Sequence, residues 1–390
     1  MSLSQRLSPF TARLAHILTV KQTTKALAAR SNPEKAPLGI FFAGPVGDIY
    51  QVTQWISVFE RIADELPSVF LIKDARVAAA LAKLTDLPIR IAGHADAIEA
   101  LIPKIGLKAL FYVNNNLANF SALRLPSVAH IHLSHGESEK VSMVSNQLKA
   151  YDYCFVAGQA AVDRILGSLT RFDSTHLIEV GRPQLDDLLT AVPFARAASR
   201  QTVLYAPTWE GDRPAMAYSS LSLVGESWVE EILNDSTLRL IYRPHPKTGS
   251  RDSKTLDIDR RIRKAIRNAA ASTPTAGHMV DEQTDYNPAL ASADVAIFDV
   301  SAMSLDFQIL RRPLFIFDSE RTSRTVPALP RAKQDQVETA LTGNILPLLH
   351  SLLTEGLTSE ASVNVKKHFG DTTKGAALST LRNEIKRIIN

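Results

Sequence analysis

Cysteine is nearly absent from this chain of 390 residues: Cys154 is the only one, inside the apolar run 153–157. A lone thiol has no internal partner, so no disulfide framework is expected. The simplest place for it is a small core position in a reducing, cytoplasmic setting. Long apolar runs are missing too. No stretch approaches the ~18 residues that cross a bilayer, and no secretory leader pattern is present, so neither a spanning nor an exported protein is expected. Charge of one sign is scarce: 44 Lys and Arg against 40 Asp and Glu leave a formal net charge of +4. That is too small for the basic stripe of a nucleic-acid binder, and no nucleic-acid partner is expected. Two phosphate-binding signatures are absent, G-x-G-x-x-G after a strand and G-x-x-x-x-G-K-[ST], which counts against dehydrogenase and P-loop readings.

What is present is an ordinary soluble composition on a chain too long for one core, so two domains of ~150–200 residues are expected. Short apolar runs at 38–43, 69–72, 89–92, 109–113, 128–133, 153–157 and 177–180 alternate with helical patterns at 50–65, 75–83, 95–105 and 160–166. Strands alternating with helices imply parallel pairing and a doubly wound sheet. The rhythm lapses around 190–200 and restarts, with strands at 202–206, 238–242, 295–298 and 314–317 and helices at 227–234, 256–270 and 302–310. The tail carries Leu378, Leu381, Ile385 and Ile388 at helical spacing, a closing helix with a buried stripe. The expected divisions are an N-terminal segment 1–34, an α/β domain 35–190, a linker 191–200, a second α/β domain 201–372 and the closing helix 373–390. The first thirty residues hold Arg6, Arg13, Lys21, Lys25 and Arg30 and no acid. With Phe10, Leu14, Ile17 and Leu18 on one face, this segment reads as a basic amphipathic helix for an anionic membrane surface, or as a helix packed on the first domain.

In open α/β sheets ligands gather beyond the carboxyl ends of the strands, and the distinctive residues fall there. The run 238–242 leads into Arg243-Pro244-His245-Pro246. Prolines on both sides of His245 stiffen a loop that presents a permanent cation beside an imidazole, with Lys247 and Arg251 following. Concentrated positive charge of this kind suits a nucleotide diphosphate; the plain alternative is a stiffened turn. The run 128–133 ends in Ser134-His135-Gly136-Glu137-Ser138-Glu139-Lys140, where Gly136 permits a sharp turn and His135 has the side chain best suited to take a proton near neutrality. His130 and His132 precede it on one strand face, but no distant Cys or His cluster supports a metal site, and no metal or cofactor is expected. The run 202–206 leads into Pro207-Thr208-Trp209, a hydroxyl beside an aromatic wall. Asp299 and Ser301 open a strand-to-helix turn that offers either an N-cap or an anion cradle, with Asp306 one turn further on. Gly44, after the first strand, lies in a flexible loop placed to line the same cleft.

These motifs together resemble the CDP-glycerol glycerophosphotransferase family of teichoic acid primases and polymerases. The resemblance runs collinearly from about Val128 to Ile388. It rests on His135–Lys140, Tyr151-Asp152-Tyr153, Gly181-Arg182-Pro183-Gln184-Leu185-Asp186, Leu204-Tyr205-Ala206-Pro207-Thr208-Trp209, Arg243-Pro244-His245-Pro246, and the block Ser292 to Phe307 through Asp299, Ser301 and Asp306. It implies a GT-B-like fold, two doubly wound Rossmann-like domains facing across a cleft. It further implies a CDP-alditol donor, a polyol-phosphate or glycan acceptor, either free or lipid-linked, and attachment to the inner membrane face. His135 would be the base and His245 a contact of the donor phosphates. Arg243, Lys247, Thr208, Asp299, Ser301 and Asp306 would line the donor side, and Gly136, Glu137, Lys140 and Gly44 the acceptor side. The family's usual Trp, Thr and second Ser stand here as Ser134, Glu137 and Ala302; the first two changes fall at the acceptor cleft and leave the acceptor and the alditol open. The expected reaction is transfer of an alditol phosphate with release of CMP. The rival is a sugar transferase or epimerase on the same frame, and a non-enzymatic membrane scaffold is a third reading.

Overall fold

The computed structural model describes residues 21–23, 25–27, 35–197, 199–211, 217–317, 340–355 and 360–390. Phe10, Leu14, Ile17 and Leu18, on which the membrane-surface reading rests, lie outside these residues. The first seven apolar runs form one sheet: β1 (Leu38–Phe42), β2 (Ser68–Ile72), β3 (Ile89–Ile91), β4 (Ala109–Tyr112), β5 (Ala129–His132), β6 (Tyr153–Val156) and β7 (Leu177–Glu179), in the order β3-β2-β1-β4-β5-β6-β7. All pairs are parallel. A second parallel sheet holds β8 (Gln201–Ala206), β9 (Leu238–Tyr242), β10 (Met279–Val280), β11 (Val295–Asp299) and β12 (Leu314–Phe317), in the order β10-β9-β8-β11-β12. The sequence pattern misses β10, because two residues carry no periodicity.

Strands β1, β2, β4, β9 and β11 are buried at every position. Helices cover both faces of parallel sheets, so such strands read as unbroken apolar runs. Both sheets reverse their winding at one place, between β1 and β4 in the first and between β8 and β11 in the second. These are the points where ligands sit in doubly wound sheets. The helical pattern at 50–65 divides into Ile49–Thr53 and Ile56–Ile62. The long helix Ser253–Ser272 starts where the Asp252 carboxylate accepts from the Lys254 and Thr255 amides, satisfying two otherwise orphaned donors.

The closing helix Ala376–Ile389 follows the second sheet in sequence but packs on the first. Leu381 and Ile385 are fully buried among Leu38, Ile40 and Phe70, with Leu378 and Ile388 beside them. Each fully buried aliphatic side chain contributes about 1.5–3 kcal/mol. Gly181 makes the approach possible: it holds a φ of +77°, and a Cβ there would lie 2.7 Å from that of Ala377.

An apolar cluster joins the two lobes, bringing Ala157, Leu185 and Leu188 of the first against Leu204, Ala206, Phe298 and Phe307 of the second. At its edge Arg182, just past β7, grips Asp306 through two bonds, Nε to Oδ1 at 2.6 Å and Nη2 to Oδ2 at 2.8 Å. The Tyr286 hydroxyl donates to the same carboxylate at 2.9 Å. Removing one partner of such a pair strands a buried charge and costs about 3–5 kcal/mol. Asp306→Ala is therefore expected to lower unfolding stability by about that amount in urea titration, with Arg182→Met in the same chain recovering most of it. A loss below ~1 kcal/mol, typical of a solvated pair, would show that the pair does not hold the lobes together.

Candidate active site

Loops from the carboxyl ends of the two sheets meet each other. The Gly44–Asp48 and Ser134–Lys140 loops of the first lobe contact the Pro207–Trp209, Arg243–Lys247 and Val300–Ala302 loops of the second through three specific contacts, and Tyr50 of the helix Ile49–Thr53 adds a fourth. Lys140 Nζ donates to Thr208 Oγ1 at 2.8 Å. Lys247 Nζ lies 2.5 Å from Asp48 Oδ1. Gly136 lies against Ala302, and a Cβ added to it would come within 2.8 Å of the alanine's methyl. The Tyr50 ring stands edge-on to two imidazoles, with centroids 5.8 Å from His135 and 5.4 Å from His245. One aromatic ring thus contacts a histidine of the first lobe and a histidine of the second.

The backbone beside His135 is held under strain. Ser134 has a φ of +60°, uncommon for a residue with a Cβ. Two bonds maintain it: Ser134 Oγ donates to the Gly136 carbonyl at 3.1 Å, and Trp55 Nε1 donates to the Ser134 carbonyl at 2.7 Å. His135 is partly covered, and its Nδ1 is buried without a partner. Burial first, then the Arg182 and Lys140 charges, push its pKa down to about 4, against a smaller opposing pull from Asp48 and the Val113 backbone. The ring is neutral at pH 7 and keeps a nitrogen lone pair for a proton.

His245 is fixed differently. Its Nδ1 accepts the Lys247 amide at 3.1 Å, which puts the proton of the neutral ring on Nε2. The ring stacks on Trp209 with centroids 6.2 Å apart and planes 21° apart. Burial, then Lys140, His135, Lys247 and Arg243, hold its pKa well below the ordinary histidine value. Lys247 also lies 5.1 Å over the Trp209 ring, and its ammonium is the cation that this loop brings to the cleft.

Several residues read from the sequence as ligand contacts are committed elsewhere. Arg243 is buried: it pairs with Asp281 and donates to the Gln283 carbonyl at 2.8 Å, so it shapes the 281–285 loop, while its charge still acts on His245. Asp299 is fully buried and accepts the Thr208 amide at 2.7 Å and the Ser220 amide at 3.1 Å, so it braces the Thr208 loop. Burial raises its pKa to about 7, against those bonds and Lys140. Asp306 is taken by Arg182 and Tyr286. Ser301 is the N-cap of the short helix Ala302–Asp306, accepting from the Ser304 amide. Glu137 is buried against Arg164, which also reaches Glu139 at 3.2 Å. Burial raises the Glu137 pKa; it would raise that of Glu139 too, but the His368 bond at 2.8 Å and the Arg164 charge bring it below the usual value. Gly44 packs on the Phe42 ring, where a Cβ would meet Cζ at 2.5 Å. Lys140, with its pKa pushed down by burial to about 8, and Thr208 do meet at the lobe junction. His130 bonds the Tyr112 hydroxyl and the Leu125 carbonyl, both at 2.8 Å.

Sequence reasoning missed Tyr50 and Asp48, and gave Arg182 no role. The first two follow the first strand, at the winding reversal, and that position was the available signal. The pairing of Arg182 with a carboxylate 124 residues away has no local signature.

A family model described as CDP-glycerol:poly(glycerophosphate) glycerophosphotransferase matches residues 107–325. Comparison with curated proteins gives no match. Among solved structures, the wall teichoic acid polymerase TagF superposes with a TM-score of 0.55 at 14% identity, covering 98% of each chain. A variant of that polymerase soaked with CDPG gives 0.55 at 12% identity, over 100% of this chain and 98% of the other. S. aureus MnaA with UDP gives 0.58 at 10% identity, over 90% and 96%. At these identities the likeness is one of fold, the two-lobed GT-B frame.

The burial of His135 has a spectroscopic consequence. The ring is charged only below about pH 4 and neutral above it. Its Hε1 resonance, assigned by difference from a His135→Asn variant, is expected to titrate near pH 4. A midpoint between 6 and 7, the range of a solvated imidazole, would contradict the dry, cation-flanked site described.

Proposed function

The chain belongs to the CDP-glycerol:poly(glycerophosphate) glycerophosphotransferase family, and on that premise we propose that it moves glycerol phosphate from CDP-glycerol to a hydroxyl of a glycopolymer or lipid-linked acceptor, releasing CMP. The observation that carries this reading is the pair of imidazoles, one from each lobe, that meet at the ring of Tyr50. Displacement at phosphorus needs two services from opposite directions: removal of a proton from the incoming alcohol, and neutralisation of the charge on the leaving side.

His135 performs the first. Its free lone pair accepts the acceptor's hydroxyl proton as that oxygen bonds to the β-phosphorus. The bond from this phosphorus to the bridging oxygen breaks, and the electron pair leaves with CMP. A pKa near 4 makes a weak base, but two of its causes are the nearby cations Arg182 and Lys140. A bound diphosphate offsets that positive charge and raises the histidine towards the range where a general base works best. His245 Nε2–H, Lys247 and the Lys140–Thr208 pair supply donors for the diphosphate, each charge-assisted bond worth roughly 1.5–3 kcal/mol. Asp48 now holds Lys247, so the donor's phosphates take the place of that carboxylate when they bind.

The test separates the two histidines. With CDP-glycerol and an acceptor preparation, the released nucleotide followed by ³¹P NMR is expected to be CMP; UDP release from a UDP-sugar would favour a sugar transferase instead. His135→Ala is expected to lower turnover by about 10²–10⁴-fold with donor affinity nearly unchanged. His245→Ala is expected to weaken donor binding by roughly ten-fold or more. Near-normal turnover in His135→Ala would remove the base assignment.

A further inference from the structure

A second space lies directly beneath the His135 loop. Ser134 and Gly136, the residues flanking His135, form part of the wall of a cavity of about 40 Å³ at the carboxyl ends of β5 and β6. At ~10–15 Å³ for each water-sized group, it has room for about three such groups, the size of a short polyol end. Its lining is mostly apolar, yet three polar atoms among the lining residues are buried without a partner: His132 Nε2, Arg164 Nε and Gln184 Nε2. Buried polar atoms in folded proteins are nearly always paired, so three unpaired ones around one cavity point to an occupant.

The chemistry of that occupant follows from the surrounding charge. The remaining guanidinium nitrogens of Arg164 are already taken by Glu137 and Glu139, and Glu139 also meets His368. Two carboxylates stand behind Arg164, and Arg182, the other guanidinium in the lining, is held by Asp306, so an anion entering here would meet no net positive charge. A purely apolar group would leave the three polar atoms unsatisfied. Arg164 Nε–H and the Gln184 amide donate, and each wants an oxygen lone pair. His132, held neutral by burial with its pKa near 3, can serve a hydroxyl in either sense. We propose that this cavity is an acceptor subsite for a neutral, hydroxyl-bearing end group, a polyol terminus or sugar hydroxymethyl, which seats it beside His135. This rests on the transferase reading above, and it selects an uncharged acceptor end over a phosphate-terminated one.

Two variants alter the cavity without touching the groups assigned to the reaction. Ala161→Leu fills it from the helix Gln159–Ser168, and Gln184→Leu removes one unpaired donor. Glycerol and glycerol 3-phosphate are the neutral and anionic probes, followed by saturation-transfer NMR, with CDP-glycerol affinity measured separately by calorimetry. Wild type is expected to bind glycerol in preference to glycerol 3-phosphate, and both variants to bind glycerol roughly ten-fold more weakly while CDP-glycerol affinity stays within about two-fold. Equal glycerol binding in wild type and in either folded variant would overturn the proposal, leaving a cavity that holds water only. Preference for glycerol 3-phosphate would overturn the claim of neutrality. Failure of wild type to bind CDP-glycerol would instead count against the donor reading, and the glycerol comparison would still judge the cavity.

Discussion

The buried bond between Arg182 and Asp306 is the constraint on which the site depends. It fixes the end of the first sheet to the helix that follows β11, alongside two other contacts between the lobes, Gly136 on Ala302 and Lys140 on Thr208. Burial would drain charge from the arginine, but the Asp306 carboxylate and the Tyr286 hydroxyl hold its pKa above the ordinary value. A guanidinium so placed stays charged at any pH the protein meets. It therefore serves both as a clasp between lobes and as a steady positive field on His135. Hinge motion that separates the lobes would have to break a bidentate, desolvated pair, which favours small adjustments about the closed arrangement.

Within that frame the two histidines are kept neutral by the same means and oriented by different ones. His135 is set by a strained serine and an indole bond from Trp55, whereas His245 is set by flanking prolines, a backbone amide and stacking on Trp209. In the proposed reaction the stiff loop matters because a phosphate contact must not move as charge shifts during transfer. In the Lys247–Asp48 bridge across the cleft the second lobe's half-buried cation already takes an anion from the opposite side. A diphosphate offers the same kind of partner with more oxygens.

The sheets were legible because parallel strands leave short apolar-rich runs between helical patterns, unbroken where both faces are buried as in β1, β2, β4, β9 and β11: all seven strands of the first sheet and four of the five in the second are visible in this way. Only β10, two residues long, escaped. The histidine pair was also legible, since His135-Gly136 and Pro244-His245-Pro246 sit at strand ends where the topology places ligands. What could not be read was the assignment of charge. From the sequence, Arg243, Asp299 and Asp306 are polar groups near a cleft. In the fold Arg243 closes on Asp281, Asp299 on two backbone amides, and Asp306 on Arg182, each through a partner distant in sequence. Buried polar groups take the nearest partner that three-dimensional packing supplies, and no spacing rule encodes it. The closing helix is a similar case: its apolar stripe was plain, but its seat on the first lobe followed only from the path of the chain.

A crystal structure of the complex with CDP-glycerol, formed with a His135→Asn variant to prevent turnover, tests the central claim most directly. The account predicts the diphosphate against His245 and Lys247, with Asp48 released from the lysine and residue 135 on the opposite side of the β-phosphorus. Nucleotide bound with the Lys247–Asp48 bridge intact, and its phosphates remote from both positions 135 and 245, would contradict it.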